Sequence, residues 1–280
     1  MSQIDLLVAV RREDASRFYK NLSAHKDFHV HMVMDADAAL DALADRERHV
    51  DVLVLDNGLA QAFDLIDELR HTYPRLLIVL VDEEADFALP GQADEVSTDP
   101  FTNDDLIRRI TRLMSDRQLE TLRADTMPAV RSFAKHLRTA SGEYGKQQAA
   151  VSACRSLGFD YVAFYQIEAT SPLEVRLRAQ DGDKMLQMAA PKEAAVDDII
   201  GWVAKSWQTR TAGPNDTLNH PLVEHGRMGV VAAVPVGMAQ HYGVLVACQV
   251  DLAGLTSDNI VILELVSAQL AAALSKDSLN

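Results

Sequence analysis

Apolar runs of strand length alternate with amphipathic helical stretches through the first 115 residues of this 280-residue chain. The predicted strands are residues 4–10, 28–34, 50–55, 76–81 and 95–97, and the predicted helices are residues 14–25, 36–46, 63–71 and 104–114. Strands and helices that alternate with short connections predict a doubly wound, parallel five-stranded α/β sheet. Functional sites in such a sheet lie at the carboxyl ends of the strands.

A long helical stretch, residues 102–139, joins this half to a second half with a different pattern. Thr102 or Asn103 can cap its first turn, and apolar residues then follow in one narrow stripe at helical spacing. Pro128 lacks a backbone donor and disfavours helix at the residue before it, so a kink or break is predicted there. The stripe is predicted to pair with a second copy as a parallel homodimer. The alternative is that the two halves of the stripe belong to the cores of the two domains, and both can hold at once.

The second half combines strands with flanking helices. The predicted elements are a helix at 147–158, strands at 161–167 and 173–179, a helix at 196–207, strands at 229–236 and 243–250, and a final helix that is capped by residues 255–258 and ends near residue 274. This order predicts an α+β domain. The predicted boundaries are a first domain at residues 1–115, a helical linker at 116–142 and a second domain at 143–280.

The composition narrows the classes of function. The net charge is -14 at pH 7, whereas proteins that bind phosphate backbones concentrate Lys and Arg, so nucleic acid is not expected as a partner. The two cysteines, Cys154 and Cys248, lie in apolar segments and indicate core positions rather than a disulfide framework. The first predicted strand leaves no room for a signal peptide, and no apolar run reaches the length of a membrane span. We therefore expect a cytoplasmic protein without a membrane partner.

Two segments of the first half carry a family resemblance. The run VDVLVLD ends the third predicted strand at Asp56, and Asp99-Pro100-Phe101 follows the fifth predicted strand. Together with the order of strands and helices, these segments make residues 4–115 resemble the receiver domain of two-component response regulators. The resemblance implies a role in bacterial-type signal transduction or a phosphorelay, with Asp56 at the phosphoacceptor position.

The residues around that position depart from the family pattern. The resemblance implies an acidic pair that holds Mg²⁺ at the end of the first strand, where this chain has Val10 and Arg11. The family's phosphate-reading Ser or Thr falls on Val81, and its Lys falls on Asp99. These departures predict a degenerate pseudo-receiver that cannot be phosphorylated, because the transition state loses its electrostatic support. The alternative is a working regulator that accepts phosphate at Asp56.

Two structural roles for Asp56 stay open at this point. Its carboxylate can hydrogen-bond the turn at Asn57 and Gly58, as Asp often does after a strand. Arg11 can also pair with Asp56, with Asp99 or with both, and hold the domain in one fixed state much as a bound ion would.

Two further stretches predict no conventional output. Residues 81–95 are acidic and contain Pro90 and Gly91, so a helix there is predicted to be short or irregular. The segment FAKHLRTA partly matches the phosphorylated-histidine box of sensor kinases at His136, but no Gly-rich phosphate loop follows it. His136 is therefore predicted to be a solvent-facing helical residue.

Three segments of the second half carry another resemblance, namely VDDIIGWVAKSWQTRTAG, GVVAAVPVGMAQHYGVLVACQ and LTSDNIVILELVSAQLAAAL. They resemble a GAF domain, a family of small-molecule sensors and dimerisation modules. A pocket is predicted between the sheet and residues 185–227, with the candidate lining residues Tyr165, Met185, Met188, Trp202, Trp207, His220 and His225. At least one of the two tryptophans is predicted to serve the core. No cofactor is predicted, although an unidentified small-molecule ligand is compatible with such a pocket.

The two histidines of that set do not predict a metal site. His220 and His225 lie five residues apart, and no third or fourth ligand follows at a recognisable spacing. Both are therefore predicted to be surface histidines, and no metal is expected.

These features together predict a non-catalytic signal transduction protein, an atypical response regulator in which a pseudo-receiver and a GAF sensor or dimerisation domain are coupled through a helical rod. Its expected partners are other signalling proteins and a second copy of the chain. An enzyme that uses the GAF pocket is the least favoured alternative, because the sequence displays no nucleophile or metal set for it.

Overall fold

The structure is a computed structural model, and it describes residues 3–84, 92–124, 128–237 and 240–277. The chain divides into two compact units, Met1–Leu119 and Glu120–Asn280. The first unit holds a parallel sheet and the second an antiparallel sheet, and each has a hydrophobic core of its own.

The first unit is a five-stranded parallel sheet with helices between its strands. In chain order its elements are β1 (Ile4–Ala9), α1 (Ala15–Ser23), β2 (Phe28–Val33), α2 (Ala36–Ala44), β3 (Val52–Asp56), α3 (Ala62–Thr72), β4 (Leu77–Val81), β5 (Glu95–Ser97) and α4 (Asp105–Ala124). The strands lie in the order β2-β1-β3-β4-β5, and each neighbouring pair is parallel. This arrangement confirms the predicted parallel five-stranded sheet.

Burial explains why the central strands read as continuous apolar runs. Every residue of β3 is buried, as is all of β4 after its first residue. A strand of a parallel sheet with helices on both faces has no solvated side, so its sequence does not alternate. The carboxyl ends of β1 and β3 lie next to each other, with Ala9 opposite Leu55 in the register.

Helix α4 begins later than the sequence predicts. The predicted caps Thr102 and Asn103 precede it, but its first residue is Asp105. Asn103 and Asp104 have φ angles of 51° and 56°, which lie in the left-handed region and cannot continue into a right-handed helix. The chain therefore enters the helix only after these two residues.

The apolar stripe of the linking segment is used by both units. Ile110 of α4 belongs to the core of the first unit, and Phe133 of the next helix, α5 (Pro128–Thr139), belongs to the core of the second. Leu119, between these positions, is 49% exposed. Helix α4 ends at Ala124 and α5 begins at Pro128, so the described helices stop on either side of the predicted break. The break itself, residues 125–127, lies outside the described residues, and pairing through the rod stays a prediction.

The second unit is an antiparallel sheet flanked by helices. Its elements are α5 (Pro128–Thr139), α6 (Gly142–Ser156), β6 (Tyr161–Thr170), β7 (Leu173–Gly182), α7 (Lys184–Ala189), α8 (Ile199–Ser206), β8 (Arg210–Ala212), α9 (Pro221–Glu224), β9 (Val230–Gly237), β10 (His241–Gln249) and α10 (Ser257–Asp277). The strands lie in the order β7-β6-β10-β9-β8. The α+β organisation agrees with the prediction, whereas the short elements α7, β8 and α9 were not predicted.

The two faces of this sheet have different surroundings. Val162 and Phe164 of β6 belong to the main core cluster, which also contains residues of α5, α6 and α10. Because neighbouring strand residues point to opposite faces, Tyr161 and Tyr165 lie on the other face. Helix α8 packs against β9 and β10, with its Trp202 fully buried.

Helix α10 is long and apolar because it serves the core. Among the described residues it is the one helix with the length and hydropathy of a membrane span, and half of that stretch is buried. Leu263, Val266 and Leu270 place it in the main cluster of the second unit. The predicted irregular helix within residues 81–95 lies largely outside the described part of the chain, which omits residues 85–91.

Candidate functional site

The carboxyl edge of the first sheet brings Arg11 and Asp56 together. The strand order reverses between β1 and β3, and crevices in doubly wound sheets form at such a reversal. Asp56 is the last residue of β3, and Arg11 follows the end of β1 by two residues. Asp56 is only 5% exposed. A buried carboxylate at this edge needs partners, because an unpaired buried charge is costly.

Both oxygens of the Asp56 carboxylate accept hydrogen bonds. Arg11 donates from its side-chain Nε at 2.9 Å and from its backbone N at 3.3 Å, both to Oδ2. The backbone N of Gly58 donates to Oδ1 at 2.8 Å. The two roles that the sequence left open for Asp56, capping of the following turn and pairing with Arg11, therefore hold together.

The guanidinium of Arg11 lies among three carboxylates. Besides Asp56, its terminal nitrogens approach Asp14 at 3.3 Å and Glu13 at 3.7 Å. The hydrogen bond to Asp56, followed by the charge of the same group, raises the pKa of Arg11. No ion pair joins Arg11 to Asp99 within the described residues, where the side chain of Asp99 is exposed.

The absence of a side chain at Gly58 leaves room for the Arg11 guanidinium. A Cβ at this position would lie 2.5 Å from Nε and 2.6 Å from Cζ of Arg11. The arginine therefore lies directly over the turn that follows β3, and any larger residue at position 58 must displace it.

The residues at this edge do not fit the divalent cation that the receiver resemblance implies. Mg²⁺ takes oxygen ligands, whereas Arg11 offers only hydrogen-bond donors and already supplies the positive charge. Val10 and Val81 are buried apolar side chains. They supply no side-chain oxygen at the ends of β1 and β4.

A cleft of about 320 Å³ opens beside the pair. Its other walls carry acidic groups that already have partners, since Asp82 accepts from Asn57 Nδ2 at 2.8 Å and Glu83 pairs with Arg17 at 3.2 Å. The cleft is thus an acidic crevice with one anchored arginine at its base.

The second unit contains a buried polar cluster on the sheet face opposite its main core. His220 is fully buried, and its ring centroid lies 6.4 Å from those of Tyr161 and Tyr165. Tyr161 donates its hydroxyl hydrogen bond to Gln180 at 3.0 Å. Tyr165 donates to the backbone oxygen of Pro191 at 3.0 Å. Burial lowers the pKa of His220 to about 4, so the imidazole is neutral at pH 7.

Asp198 begins helix α8 beside this cluster. Its carboxylate accepts from the backbone N of Gly201 and of Ala195, each at 2.8 Å, which is the usual arrangement of an N-cap. Burial raises its pKa to about 6 despite these bonds. The cap also explains why α8 begins at Ile199 rather than at the predicted residue 196.

The two tryptophans of the predicted pocket have different roles. Trp202 is fully buried, with the guanidinium of Arg210 lying 4.8 Å from its ring centroid. Trp207 is only partly buried and stacks on His241 with ring centroids 3.5 Å apart. Trp202 is therefore the tryptophan that serves the core.

The structure does not bring all the predicted pocket residues together. Tyr165, Trp202 and His220 are buried in the second unit, whereas Met185 and Met188 are 70% and 81% exposed on α7. These two methionines line no interior space, because their helix packs only lightly on β7.

The prediction that His220 is a surface histidine is wrong, whereas His225 is exposed as predicted. His220 caps α9 by accepting from the backbone N of Leu222, which draws the imidazole inward with Leu222 and Val223. The dipeptide His220-Pro221 was the available signal, because proline favours the first position of a helix.

Three predictions about single residues are confirmed. Cys154 and Cys248 are both buried, and burial raises the pKa of each thiol. His136 is exposed on α5.

Comparison with known proteins gives partial structural likenesses. No protein-family model and no curated protein matches the chain. A free methionine-R-sulfoxide reductase from Neisseria meningitidis has 15% identity and a TM-score of 0.46, covering 52% of this chain and 86% of its own. The GAF domain of a phosphoenolpyruvate-protein phosphotransferase from Acinetobacter has 15% identity and a TM-score of 0.43, covering 58% and 95%.

A signal receiver domain of an HD domain-containing protein from Pseudomonas fluorescens Pf-5 has 19% identity and a TM-score of 0.38, covering 43% of this chain and 93% of its own. The similar structures thus include GAF domains and a receiver domain. Likenesses at these identities and TM-scores carry no information about activity.

Proposed function

We propose that this chain is a non-catalytic signal transduction protein, an atypical response regulator whose first unit does not accept a phosphoryl group. The observation that carries the proposal is the hydrogen bond from Arg11 Nε to Asp56 Oδ2 at 2.9 Å. It gives the buried carboxylate a permanent cationic partner that is part of the chain.

Phosphoryl transfer to Asp56 would meet three obstacles at this edge. The attacking carboxylate oxygen is a weaker nucleophile, because both oxygens already accept hydrogen bonds. Charge on the transferred group must be neutralised by cations, and the residues present do not fit a divalent ion. The neighbouring Asp82 and Glu83 add negative charge beside the incoming phosphoryl group. Each obstacle raises the barrier, because catalysis of this transfer depends almost wholly on positioning and electrostatics.

The second unit acts in this proposal as a small-molecule sensor or a dimerisation module. The buried group of His220, Tyr161 and Tyr165 supports a sensor, since a few polar groups among apolar ones are typical of ligand sites. Pairing of α4 with a second copy is proposed from its narrow apolar stripe, and it would bury Leu119, which is 49% exposed. Other signalling proteins are the proposed partners, and the chain would act on them by surface contact rather than by catalysis or phosphoryl transfer.

Phosphorylation with a small donor tests the proposal. The full chain is incubated with acetyl phosphate and Mg²⁺, and intact-protein mass spectrometry reads the addition of a phosphoryl group. We expect no addition in the wild type and none in Asp56→Asn. A gain of one phosphoryl mass that disappears in Asp56→Asn would refute the proposal and establish a phosphorylation-dependent regulator instead.

A further inference from the structure

His220 has a hydrogen-bonding group that the protein leaves without an acceptor. Its imidazole is fully buried, and Nε2 has no hydrogen-bond partner among the described residues. Buried polar groups in folded proteins almost always have partners, because an unmade bond costs the full desolvation of the group. An exception in a fully buried side chain points to a partner from outside the chain.

The other ring nitrogen fixes which hydrogen-bonding role Nε2 has. The backbone N of Leu222 donates to Nδ1 at 3.2 Å, so Nδ1 is the acceptor and carries no proton. In a neutral imidazole the remaining nitrogen then carries the hydrogen. Protonation of both nitrogens is disfavoured, since burial lowers the pKa of this ring to about 4. Nε2 is therefore a neutral N–H donor.

The surroundings of His220 select against charged molecules. The Tyr161 and Tyr165 rings flank it, and burial raises the pKa of both phenols. Asp198 lies close enough to raise the pKa of Tyr165 further, so an added anion would face a carboxylate. An added cation could not accept from Nε2. A neutral acceptor is the chemistry that remains.

We propose that the second unit binds a small uncharged molecule whose carbonyl or similar neutral acceptor takes the hydrogen bond of His220 Nε2, next to the rings of Tyr161 and Tyr165. The inference rests on the proposed role of this unit as a sensor and names the ligand class. The two hydroxyls already donate to Gln180 and Pro191, so their oxygens can act only as acceptors, and the Tyr161 oxygen also interacts with the Tyr165 hydroxyl. A ligand with one acceptor for His220 and one donor for a tyrosine oxygen bonds two of these three groups.

Three probes of one shape separate the ligand classes. Benzamide is uncharged and has a carbonyl acceptor, benzoate is its anionic counterpart, and benzamidine is cationic and only donates. Each is titrated into the full chain labelled with ¹⁵N-histidine, and the Nε2 resonance of His220 is followed. The titration is run at pH 7, above the pKa of Asp198, and the resonance is assigned as the one that His220→Asn removes.

We expect benzamide to shift the Nε2 resonance saturably, with a Kd at least about tenfold lower than that of benzamidine, the ratio expected for the loss of one hydrogen bond to a buried donor. Benzoate should also bind more weakly than benzamide, because its charge loses hydration and faces Asp198. His220→Asn keeps an N-cap acceptor, but its shorter side chain does not carry a donor to the position of Nε2, so it should abolish the preference for benzamide. His225→Asn, at the exposed end of the same short helix, should leave it unchanged.

Two results would overturn the inference. One is an Nε2 resonance that benzamide does not move, as expected if a trapped water alone satisfies the donor. The other is equal binding of benzamide and benzoate in the wild type, a result that needs no variant to fold. Neither bears on Asp56, and phosphorylation of Asp56 would refute the proposed function without touching the benzamide result.

Discussion

Removal of the Arg11 side chain should loosen the edge between β1 and β3. Arg11→Ala removes one charge-assisted hydrogen bond to a buried carboxylate, while the backbone N of residue 11 and of Gly58 still donate to it. Such bonds contribute about 1.5–3 kcal/mol when fully buried. The side chain of Arg11 is 43% exposed, so solvent screens part of this, and we expect a loss of about 1–2 kcal/mol.

Hydrogen exchange measures this loss in the full chain. Both tryptophans, Trp202 and Trp207, lie in the second unit, so fluorescence cannot follow the first. A loss of about 1–2 kcal/mol speeds amide exchange in β1 and β3 by about 5-fold to 30-fold when exchange follows the opening equilibrium. Peptides from β6 and β10 should exchange at the wild-type rate.

Two variants isolate the cause of the effect. Arg12→Ala removes a neighbouring exposed arginine that has no ion pair within the described residues, and it should leave exchange unchanged. Gly58→Ala keeps both charged residues in the sequence but puts a Cβ 2.5 Å from Arg11 Nε and so displaces the guanidinium. It should raise the rate of amide exchange in the same strands. Wild-type exchange in Arg11→Ala, or an equal effect of Arg12→Ala, would refute the reasoning that the pair holds this edge.

Three further predictions concern the second unit and the assembly. Gly201→Ala places a Cβ 2.3 Å from the backbone oxygen of Ala195 and should lower the free energy of unfolding by about 1–3 kcal/mol, as measured by a denaturant titration followed by tryptophan fluorescence. Gly145→Ala, whose Cβ would have its nearest neighbour at 3.8 Å, should not lower this free energy, and equal effects of the two changes would contradict the steric argument. As pH rises from about 4 to about 6, the raised pKa of Asp198 should reduce stability and the lowered pKa of His220 should increase it. Asp198→Asn removes the first effect, so its stability should rise more over this range than that of the wild type; equal changes in the two proteins would contradict the assigned role of Asp198. Native mass spectrometry should show a dimer that Leu119→Glu dissociates, whereas a monomeric wild type would remove the case for pairing through α4.

The parallel sheet was predictable because its signal is redundant. Strands such as β3 and β4 are buried on both faces, so each is a continuous apolar run, and the helices between them have their own period. The first residues of the helices were less predictable, because each depends on the conformation or the cap of one or two residues. The left-handed φ angles of Asn103 and Asp104 delay α4, and the Asp198 cap delays α8, although both sequences allow an earlier start.

Some features of the candidate site were also predictable from the sequence, and others were not. The pairing of Arg11 with Asp56 could be anticipated, since both follow neighbouring strands of a predicted sheet. The choice of Asp56 over Asp99 could not, because it depends on the turn at Gly58 leaving room for the guanidinium. His220 was missed because α9 has only four residues, too few to show a helical period that would place the imidazole inside.

The guanidinium of Arg11 differs from a bound metal ion because it is covalently part of the chain. An ion equilibrates with solution, so a metal-dependent edge can be emptied and refilled, and its state follows the ion concentration. Arg11 is held two residues beyond β1, so its effective concentration at Asp56 is set by the chain and does not vary with the medium. Under the proposed function, we therefore expect the Arg11–Asp56 pair to persist both with divalent cations and with a chelator. A signal changes this edge, under the proposed function, through a contact that moves Arg11 or the turn at Gly58, and we propose that the first unit receives protein contacts rather than phosphate.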